Sequence, residues 1–305
     1  MNRVDAFDIA RGIAVLLVVV LHATLLPQES VEFAQPICRM ALLLLISGAL
    51  ATPVLTRDWT YARDRGLDLL WLYLLWTPIL LLSIEGPTGL LHMGSELVSP
   101  RTHLWYIGGL ALLIGVARLF RRTPAVPVVA AAAAALWYGL GGRTGAPGHD
   151  AVAHFAIFFF IGLHGRPMLE AALAQCGRRI GVLAGLAMVL MLVAPLPHTL
   201  VTLGTAAALL LVAQGLASTS AAGWLARMGR RTPDIYLAHA PLLLFAGRAM
   251  GEVDAVALVP LVLSTVVACL ALRTAADRAG LGWLYRRPRL NAAALQLRPE
   301  LRPAG

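Results

Sequence analysis

Long apolar runs alternate with short polar segments along the whole chain. Each run holds roughly 15 to 20 residues, which is long enough for an α-helix to cross a hydrocarbon layer of about 30 Å. The alanine-rich fifth run has the weakest hydropathy signal. We therefore predict an all-α, polytopic transmembrane bundle with about ten spans, at residues 9–26, 37–55, 67–84, 103–120, 125–140, 151–165, 180–196, 198–217, 234–250 and 255–273.

The basic residues predict how this bundle is oriented. The sequence contains 25 arginines and no lysine, and under the ten-span prediction 21 of the arginines lie on the same side as the N-terminus. Because arginine is enriched in cytoplasmic loops, both termini are predicted to be cytoplasmic, which requires an even number of spans. The expected location is the plasma membrane. Only four arginines fall to the outer half, namely Arg39, Arg101, Arg143 and Arg248.

Composition supports a membrane protein and excludes several other classes. The chain is 59% hydrophobic and 13% charged, with a mean hydropathy of +0.75, which leaves too little charged surface for a soluble domain of this length. The net charge of +9 is explained by membrane orientation, so no nucleic-acid partner is predicted. No metal site is predicted either, because the histidines lack metal-binding spacing and the cysteines are isolated at Cys38, Cys176 and Cys269.

The first span carries ionisable residues along one stripe. Arg11 and His22 differ by about 20° around a helix after whole turns, and Asp8 lies on the same side. His22 would sit roughly 16 Å further along the axis than Arg11, in the outer half of the membrane. Such groups usually face a protein interior or a water-filled cavity. Alternatively, His22 is neutral and hydrogen-bonded to a neighbouring helix. Asp8 and Arg11 would then form a structural pair.

The second span begins with another charged residue, Arg39. Because only a short connection through Pro27 and Pro36 separates the two spans, Arg39 and His22 are predicted to lie at similar depth. There Arg39 would favour a neutral imidazole and could stabilise an oxyanion; alternatively it extends to the outer headgroups. In the same span, the small residues Ser47 and Gly48 permit a close helix approach.

Later histidines allow similar pairs of interpretations. His103 begins the fourth span and either contacts an acceptor or caps a helix. His239 follows Tyr236 by three residues, which puts both on one helix face, and it either lines the interior path or is a buried structural histidine. The remaining histidines lie near span ends and are predicted to be interfacial: His92, His149, His154, His164 and His198.

Five segments, in order, resemble motifs of the membrane acyltransferase 3 family. The first is an acidic residue before Arg-Gly and an apolar run ending in histidine. Ala41 stands where that family has proline, and Arg57, Arg63 and Arg65 differ in spacing from its cytoplasmic Arg-x-x-Arg. The segments are "FDIARGIAVLLVVVLHA" (7–23), "RMALLLLISGAL" (39–50), "HLWYIGGLALL" (103–113), "HFAIFFFIGLHGRP" (154–167) and "RRTPDIYLAHAPLLLF" (230–245).

This resemblance implies acyl transfer at a membrane. Family members take an acyl group, usually acetyl from cytoplasmic acetyl-CoA, and pass it to a hydroxyl of a glycan or small molecule. His22 would be the general base, or less directly an acyl carrier, with Arg39 as its catalytic partner. The resemblance also implies two sets of binding residues. The coenzyme would be bound by Arg11, Arg57, Arg63 and Arg65. The acceptor would be bound by His103, Tyr236 and His239.

A transporter or flippase is the competing function class, because intramembrane arginine and histidine also mark substrate and proton pathways. Transporters often show paired repeats with helices broken at matching positions, and no such symmetry is evident in this sequence. The acyltransferase interpretation assigns residues 1–273 to the integral-membrane domain and 274–305 to a basic cytoplasmic tail. The expected partners are the lipid bilayer, an acyl-CoA and a hydroxyl-bearing acceptor such as a carbohydrate.

Overall fold

The described part of the chain is built from α-helices. A computed structural model describes residues 4–24, 39–193, 198–250 and 255–289, and within these residues there is no strand. The α-helices are α1 (Val4–Thr24), α2 (Arg39–Leu50), α3 (Pro53–Thr56), α4 (Trp59–Glu85), α5 (Met93–Val98), α6 (Trp105–Leu119), α7 (Ala125–Gly139), α8 (Pro147–Gln175), α9 (Arg178–Val193), α10 (His198–Leu216), α11 (Ala222–Arg230), α12 (Thr232–Met250) and α13 (Ala255–Arg278). The described residues also form two 3₁₀ helices, Gly86–His92 and Gly282–Leu284.

Each predicted span is occupied by a helix, and the short helices α5 and α11 lie outside the predicted spans. Five segments are long and apolar enough to cross a membrane, three shorter apolar helices accompany them, and α9 and α12 occupy the two remaining predicted positions. The fold class is thereby confirmed as a helical membrane protein, while ten spans and cytoplasmic termini stay predictions. Arg3, the connection through Pro27 and Pro36, Cys38 and the tail beyond residue 289 lie outside the described residues. The five segments are Ala6–Thr24, Arg39–Thr56, Trp59–Val98, Pro147–Gln175 and Val256–Arg278.

Helix α1 lies at the centre of the bundle. It packs against α2, α10, α11, α12 and α13, and its apolar side chains Ile9, Ala14 and Val19 are completely buried. Asp8 is also buried, at 6% exposure. A helix surrounded in this way presents its ionisable stripe to protein rather than to lipid, which removes most of the cost of placing such groups at membrane depth.

Glycines allow two helix pairs to touch backbone to backbone. A Cβ added to Gly48 of α2 would lie 1.9 Å from the Phe159 carbonyl oxygen, and one added to Gly162 of α8 would lie 1.9 Å from that of Leu45. Helices α1 and α11 meet similarly, because a Cβ on Gly229 would lie 1.7 Å from the Asp8 carbonyl oxygen. The predicted close approach at Gly48 is confirmed, and these contacts fix where the ionisable residues of α1 and α2 lie.

Helix α4 begins earlier than the predicted span, at Trp59 rather than at residue 67. The reason is its N-cap: the Asp58 carboxylate accepts hydrogen bonds from the backbone N–H of Tyr61 at 3.1 Å and from the hydroxyl of Thr60 at 2.7 Å. These bonds satisfy donors that the helix itself leaves unpaired. The hydropathy pattern does not predict this first part of α4, because it is polar and carries the exposed residues Arg63 and Arg65.

The end of the predicted second span is interrupted. Helix α2 ends at Leu50, and the short helix α3 follows before Arg57 leaves helical geometry. The buried Arg118 guanidinium, from the end of α6, donates hydrogen bonds to the carbonyls of Val54 at 3.1 Å and Arg57 at 2.7 Å. Carbonyls at a helix C-terminus have no partner within the helix, so Arg118 stabilises this ending and ties it to α6.

Candidate functional site

Three histidines from distant parts of the sequence meet inside the bundle. The ring centroids of His22 and His239 are 4.8 Å apart, those of His103 and His239 are 4.8 Å apart, and those of His22 and His103 are 5.5 Å apart. His239 is completely buried, while His22 and His103 remain partly accessible. The structure therefore brings the predicted base together with two of the three residues predicted to contact the acceptor.

Backbone carbonyls determine which ring nitrogen carries the proton. Nδ1 of His22 lies 2.9 Å from the Val18 oxygen, and Nδ1 of His239 lies 2.9 Å from the Tyr236 oxygen, so both nitrogens must donate. His103 Nε2 likewise donates to the Tyr236 oxygen at 3.2 Å. A neutral His22 thus has its lone pair on Nε2, which is the arrangement that a general base requires.

The imidazoles of α1 and α12 are also linked to each other. His239 Nε2 lies 3.3 Å from His22 Nδ1, so the protonated Nδ1 of His22 is shared between the Val18 oxygen and the lone pair of His239. This contact holds the His22 ring in one orientation, because rotating the ring would break both interactions. His239 is therefore placed to orient His22.

Two tyrosines extend the cluster toward α2. The rings of Tyr236 and His103 are 5.2 Å apart, and the Tyr236 hydroxyl donates a hydrogen bond to the His103 carbonyl. The ring of Tyr106 lies 5.1 Å from that of Tyr236, and its hydroxyl is 2.8 Å from the hydroxyl of Ser47. The ring contact with Tyr106, and the hydrogen bond of that residue to Ser47, thus connect the third predicted acceptor residue, Tyr236, to the second helix.

Two arginines approach this cluster from different positions on α1 and α2. Arg39 is buried, at 8% exposure, and its charge acts on both His22 and Tyr236. The charge of Arg11 acts on Tyr106. Arg11 is 4.0 Å from Asp8, but the closer partner of that carboxylate is Arg230, at 3.2 Å. The Asp8 pair predicted from the sequence is therefore a three-residue group that joins α1 to α11.

A buried carboxylate positions the loop that carries His103. Glu96 is 1% exposed and accepts hydrogen bonds from the backbone N–H groups of Arg101 and Thr102, as well as from the Thr102 hydroxyl at 2.6 Å. The Tyr73 hydroxyl donates to the Glu96 carbonyl at 2.8 Å. A buried charge is tolerated when it is fully hydrogen-bonded, and here the bonds fix the residues that immediately precede His103.

The predicted coenzyme arginines are not all together. Arg57 and Arg65 line one cavity of about 390 Å³ at the start of α4, whereas Arg63 is directed to Asp64 at 3.4 Å. Asp58 also lines the cavity; the Thr60 hydroxyl, followed by the Tyr61 N–H, lowers the pKa of this carboxyl, because both groups donate to its ionised form. The cavity therefore contains carboxylates as well as guanidinium groups.

Several contributors to the site were missed by sequence reasoning. Ser47 was interpreted only as a small residue for helix packing, and Tyr106 and Glu96 were not singled out. A carboxylate in the otherwise apolar "GSELV" was the only available signal for Glu96. His154 is buried at 2% exposure, and its ring lies 4.3 Å from that of Tyr138. Its position at the membrane interface stays a prediction.

The arrangement supplies the elements of hydroxyl activation. A histidine with an available Nε2 lone pair, a second histidine that orients it and a nearby permanent cation can remove a proton and stabilise negative charge. Within the described ranges, no group of three or more histidine, cysteine, aspartate or glutamate side chains has metal-binding geometry.

Comparison with known proteins extends over most of the chain. A family model described as an acyltransferase domain matches residues 4–274. This range includes the three histidines, both tyrosines and the arginines of α1, α2 and α4. It ends before the segment that follows α13. No curated protein and no solved structure was found to match the chain significantly.

Proposed function

Because the chain belongs to the acyltransferase domain family that matches residues 4–274, we propose that it transfers an acyl group from a cytoplasmic acyl-CoA to a hydroxyl group of a glycan or small molecule. The acyl group is acetyl in this proposal, and the enzyme acts in the plasma membrane. The observation that carries it is the cluster of His22, His103 and His239, with a hydrogen-bond pattern that leaves Nε2 of His22 as the proton acceptor.

In the proposed reaction, His22 removes the proton of the acceptor hydroxyl. The hydroxyl oxygen attacks the thioester carbon, and the negative charge that develops on the carbonyl oxygen is stabilised by the guanidinium of Arg39. The carbon–sulfur bond then breaks, and the CoA thiolate takes the proton from the His22 imidazolium. The products are an ester and free CoA, so no other reactant is needed.

The acceptor side of the proposal rests on the polar groups beside His22. His103 and the Tyr236 hydroxyl lie next to the cluster and offer hydrogen-bonding groups of the kind that a sugar hydroxyl needs. His239 acts through His22, since its Nε2 receives the shared proton of His22 Nδ1. It is therefore proposed as a positioning residue rather than as one that touches the acceptor.

On the donor side, the nucleotide of the coenzyme is polyanionic, and guanidinium groups bind phosphates through charge-assisted hydrogen bonds. Arg57 and Arg65 share one cavity and are the first candidates. Arg11 of α1, which lies 4.0 Å from Asp8, is the next candidate. Arg63, which is directed to Asp64, is the weakest of the four arginines assigned to this role.

The test is acetyl transfer by purified variants across a range of pH. His22→Ala should lower turnover by about 10²–10⁴-fold, the usual contribution of a general base, and wild-type turnover should rise with pH as neutral imidazole forms. His22→Gln should lose that rise. His239→Gln should lower turnover and change the shape of the pH profile. His149→Gln, an exposed histidine elsewhere in the chain, is the matched control.

Two results would contradict this assignment. Turnover by His22→Ala within a factor of about two of the wild type would remove His22 from catalysis. An efficient Arg39→Lys variant would argue against Arg39 as the oxyanion donor, because an ammonium does not reproduce the planar guanidinium. Substrate counterflow without any acetyl transfer would instead favour a transporter or flippase.

A further inference from the structure

The residues after α13 fold back onto the first two thirds of α4. Two indole N–H groups of α4 donate hydrogen bonds to backbone carbonyls there, from Trp71 to Trp283 at 2.9 Å and from Trp76 to Leu284 at 2.7 Å. We refer to residues 281–289 as the C-terminal strap. This segment lies beyond residue 274, where the family match ends, so the family does not account for its position.

Ion pairs and an aromatic side chain hold the strap in place. The Arg287 guanidinium donates to the Asp68 carboxylate at 2.9 Å and lies 3.4 Å from that of Asp64. Tyr285 is 5% exposed, packs 5.4 Å from the ring of Trp76 and receives the Arg273 guanidinium over its face at 4.8 Å. With contacts to both α4 and α13, the strap has a defined course along these helices.

Arg289 of the strap lies at the cavity that also contains two candidate coenzyme arginines. It lines this cavity of about 390 Å³ together with Arg57 and Arg65; its guanidinium is 3.9 Å from the Asp68 carboxylate, and its side chain is still 74% exposed. Asp64, which also lines the cavity, is already paired with Arg63 and Arg287. Asp58 is engaged in capping α4. The guanidinium groups are thus the charges that the cavity offers to a ligand.

The position of the cavity relative to the histidines suits a long, two-ended ligand. Arg118, at the end of α6, donates to the carbonyl of Arg57 beside the cavity, and Trp105, at the other end, lies two residues from His103. Between Trp105 and Arg118 the helix rises about 20 Å. A ligand with anionic groups at one end and its reactive group on a slender arm could therefore reach both places.

We propose that Arg289 of the C-terminal strap binds phosphate groups of the acyl-CoA nucleotide, together with Arg57 and Arg65, so that the strap is part of the donor site. This inference rests on the proposed function. Three guanidinium groups from two separate segments surround the cavity, which matches a ligand with several phosphates better than two arginines of one segment do. Trp71, Trp76 and Arg287 act as positioning residues for Arg289.

The experiment compares two donors with the full-length protein: acetyl-CoA, and S-acetyl-pantetheine, which has the arm but no nucleotide. Arg289→Ala should raise the KM for acetyl-CoA by about three- to tenfold, as expected for loss of one solvent-exposed hydrogen-bonded contact, while the KM for acetyl-pantetheine and both kcat values stay unchanged. Trp76→Phe should produce a smaller change of the same kind. Arg278→Ala, which removes an exposed arginine of α13 that does not line the cavity, is the control.

Each outcome has a distinct meaning. If the wild type uses acetyl-CoA and Arg289→Ala has an unchanged KM, the strap is not part of the donor site and the proposed function stands. An equal rise in KM for both donors would also overturn the inference, because Arg289 would then affect the arm or the fold. No transfer by the wild type from either donor would refute the proposed function and this inference with it. Because Arg289 is exposed, folding of its variant is checked simply by elution in detergent.

Discussion

Replacing the glycines between α2 and α8 tests whether this helix contact determines the geometry of the site. In Gly48→Ala the new Cβ would start 1.9 Å from the Phe159 carbonyl oxygen, and in Gly162→Ala it would start 1.9 Å from that of Leu45. Ordinary contact begins at 3.4 Å, so the helices must separate locally by 1.5 Å. The obstructing atoms belong to the backbone and cannot rotate away as a side chain would.

The size of the effect follows from this overlap. Overpacking of a core costs about 1–3 kcal/mol per site, and the alanine recovers about 0.5–1 kcal/mol through its better helix propensity. Each single variant should therefore be destabilised by about 0.5–2 kcal/mol. A separation at one glycine also makes room at the other, so the Gly48→Ala/Gly162→Ala double variant should lose less than the sum of the single losses.

The same displacement should reduce activity. Ser47 precedes Gly48 on α2, and its 2.8 Å hydrogen bond to the Tyr106 hydroxyl would not survive a shift of 1.5 Å. Arg39 begins the same helix. Since a misplacement of about 1 Å can cost roughly 10²-fold in rate, Gly48→Ala should lower acetyl transfer well beyond what the remaining folded fraction explains.

Thermal and denaturant unfolding in detergent, with acetyl transfer measured on the folded fraction, provides the assay. Gly165→Ala is the matched control on α8, because nothing lies within 4 Å of its added Cβ; it should be neutral or stabilising and fully active. Wild-type stability in both Gly48→Ala and Gly162→Ala would refute the reasoning. Strictly additive losses in the double variant would refute the part that assigns a shared helix separation to the two sites.

Two other predictions concern the hydroxyl pair and the orientation in the membrane. Ser47→Ala should cost about 1–3 kcal/mol in detergent unfolding, because the buried hydroxyl of Tyr106 is left unpaired; adding Tyr106→Phe should recover part of this loss, and a further loss would contradict the role of the bond. Under the ten-span topology, single cysteines introduced next to Arg63, Arg121, Arg178 and Arg230 should be protected from an impermeant thiol reagent in intact cells. Labelling of any of these cysteines would contradict the predicted orientation.

Much of the helical architecture could be predicted because lipid imposes a single requirement on each span. A run of about 20 apolar residues satisfies its backbone hydrogen bonds internally only as a helix, so hydropathy located the long apolar helices. It did not locate the short helices α5 and α11, and it failed where polar capping decides. The start of α4 depends on the Asp58 side chain, and the end of α3 depends on Arg118, which lies 61 positions after Arg57 in the chain.

The site was predictable only as far as one helix determines it. The angle between Arg11 and His22 follows from helix geometry, and their common stripe faces protein. The partners of His22 could not be found in this way, because His103 comes from the loop just before α6 and His239 from α12, and no local spacing encodes their approach. Ser47 illustrates the same limit: it looked like a packing residue until Tyr106, 59 positions away, proved to be its hydrogen-bond partner.

In the proposed reaction, binding of the donor nucleotide and proton transfer take place near opposite ends of α6. The exposed guanidinium groups near Arg57 remain in contact with water, where they can attract and release an anionic nucleotide. At the other end, His22 and His239 share a hydrogen bond inside the bundle, where the charge of Arg39 acts more strongly because less water screens it. Only the acyl arm must enter this region, so the polyanionic part of the donor never has to be desolvated.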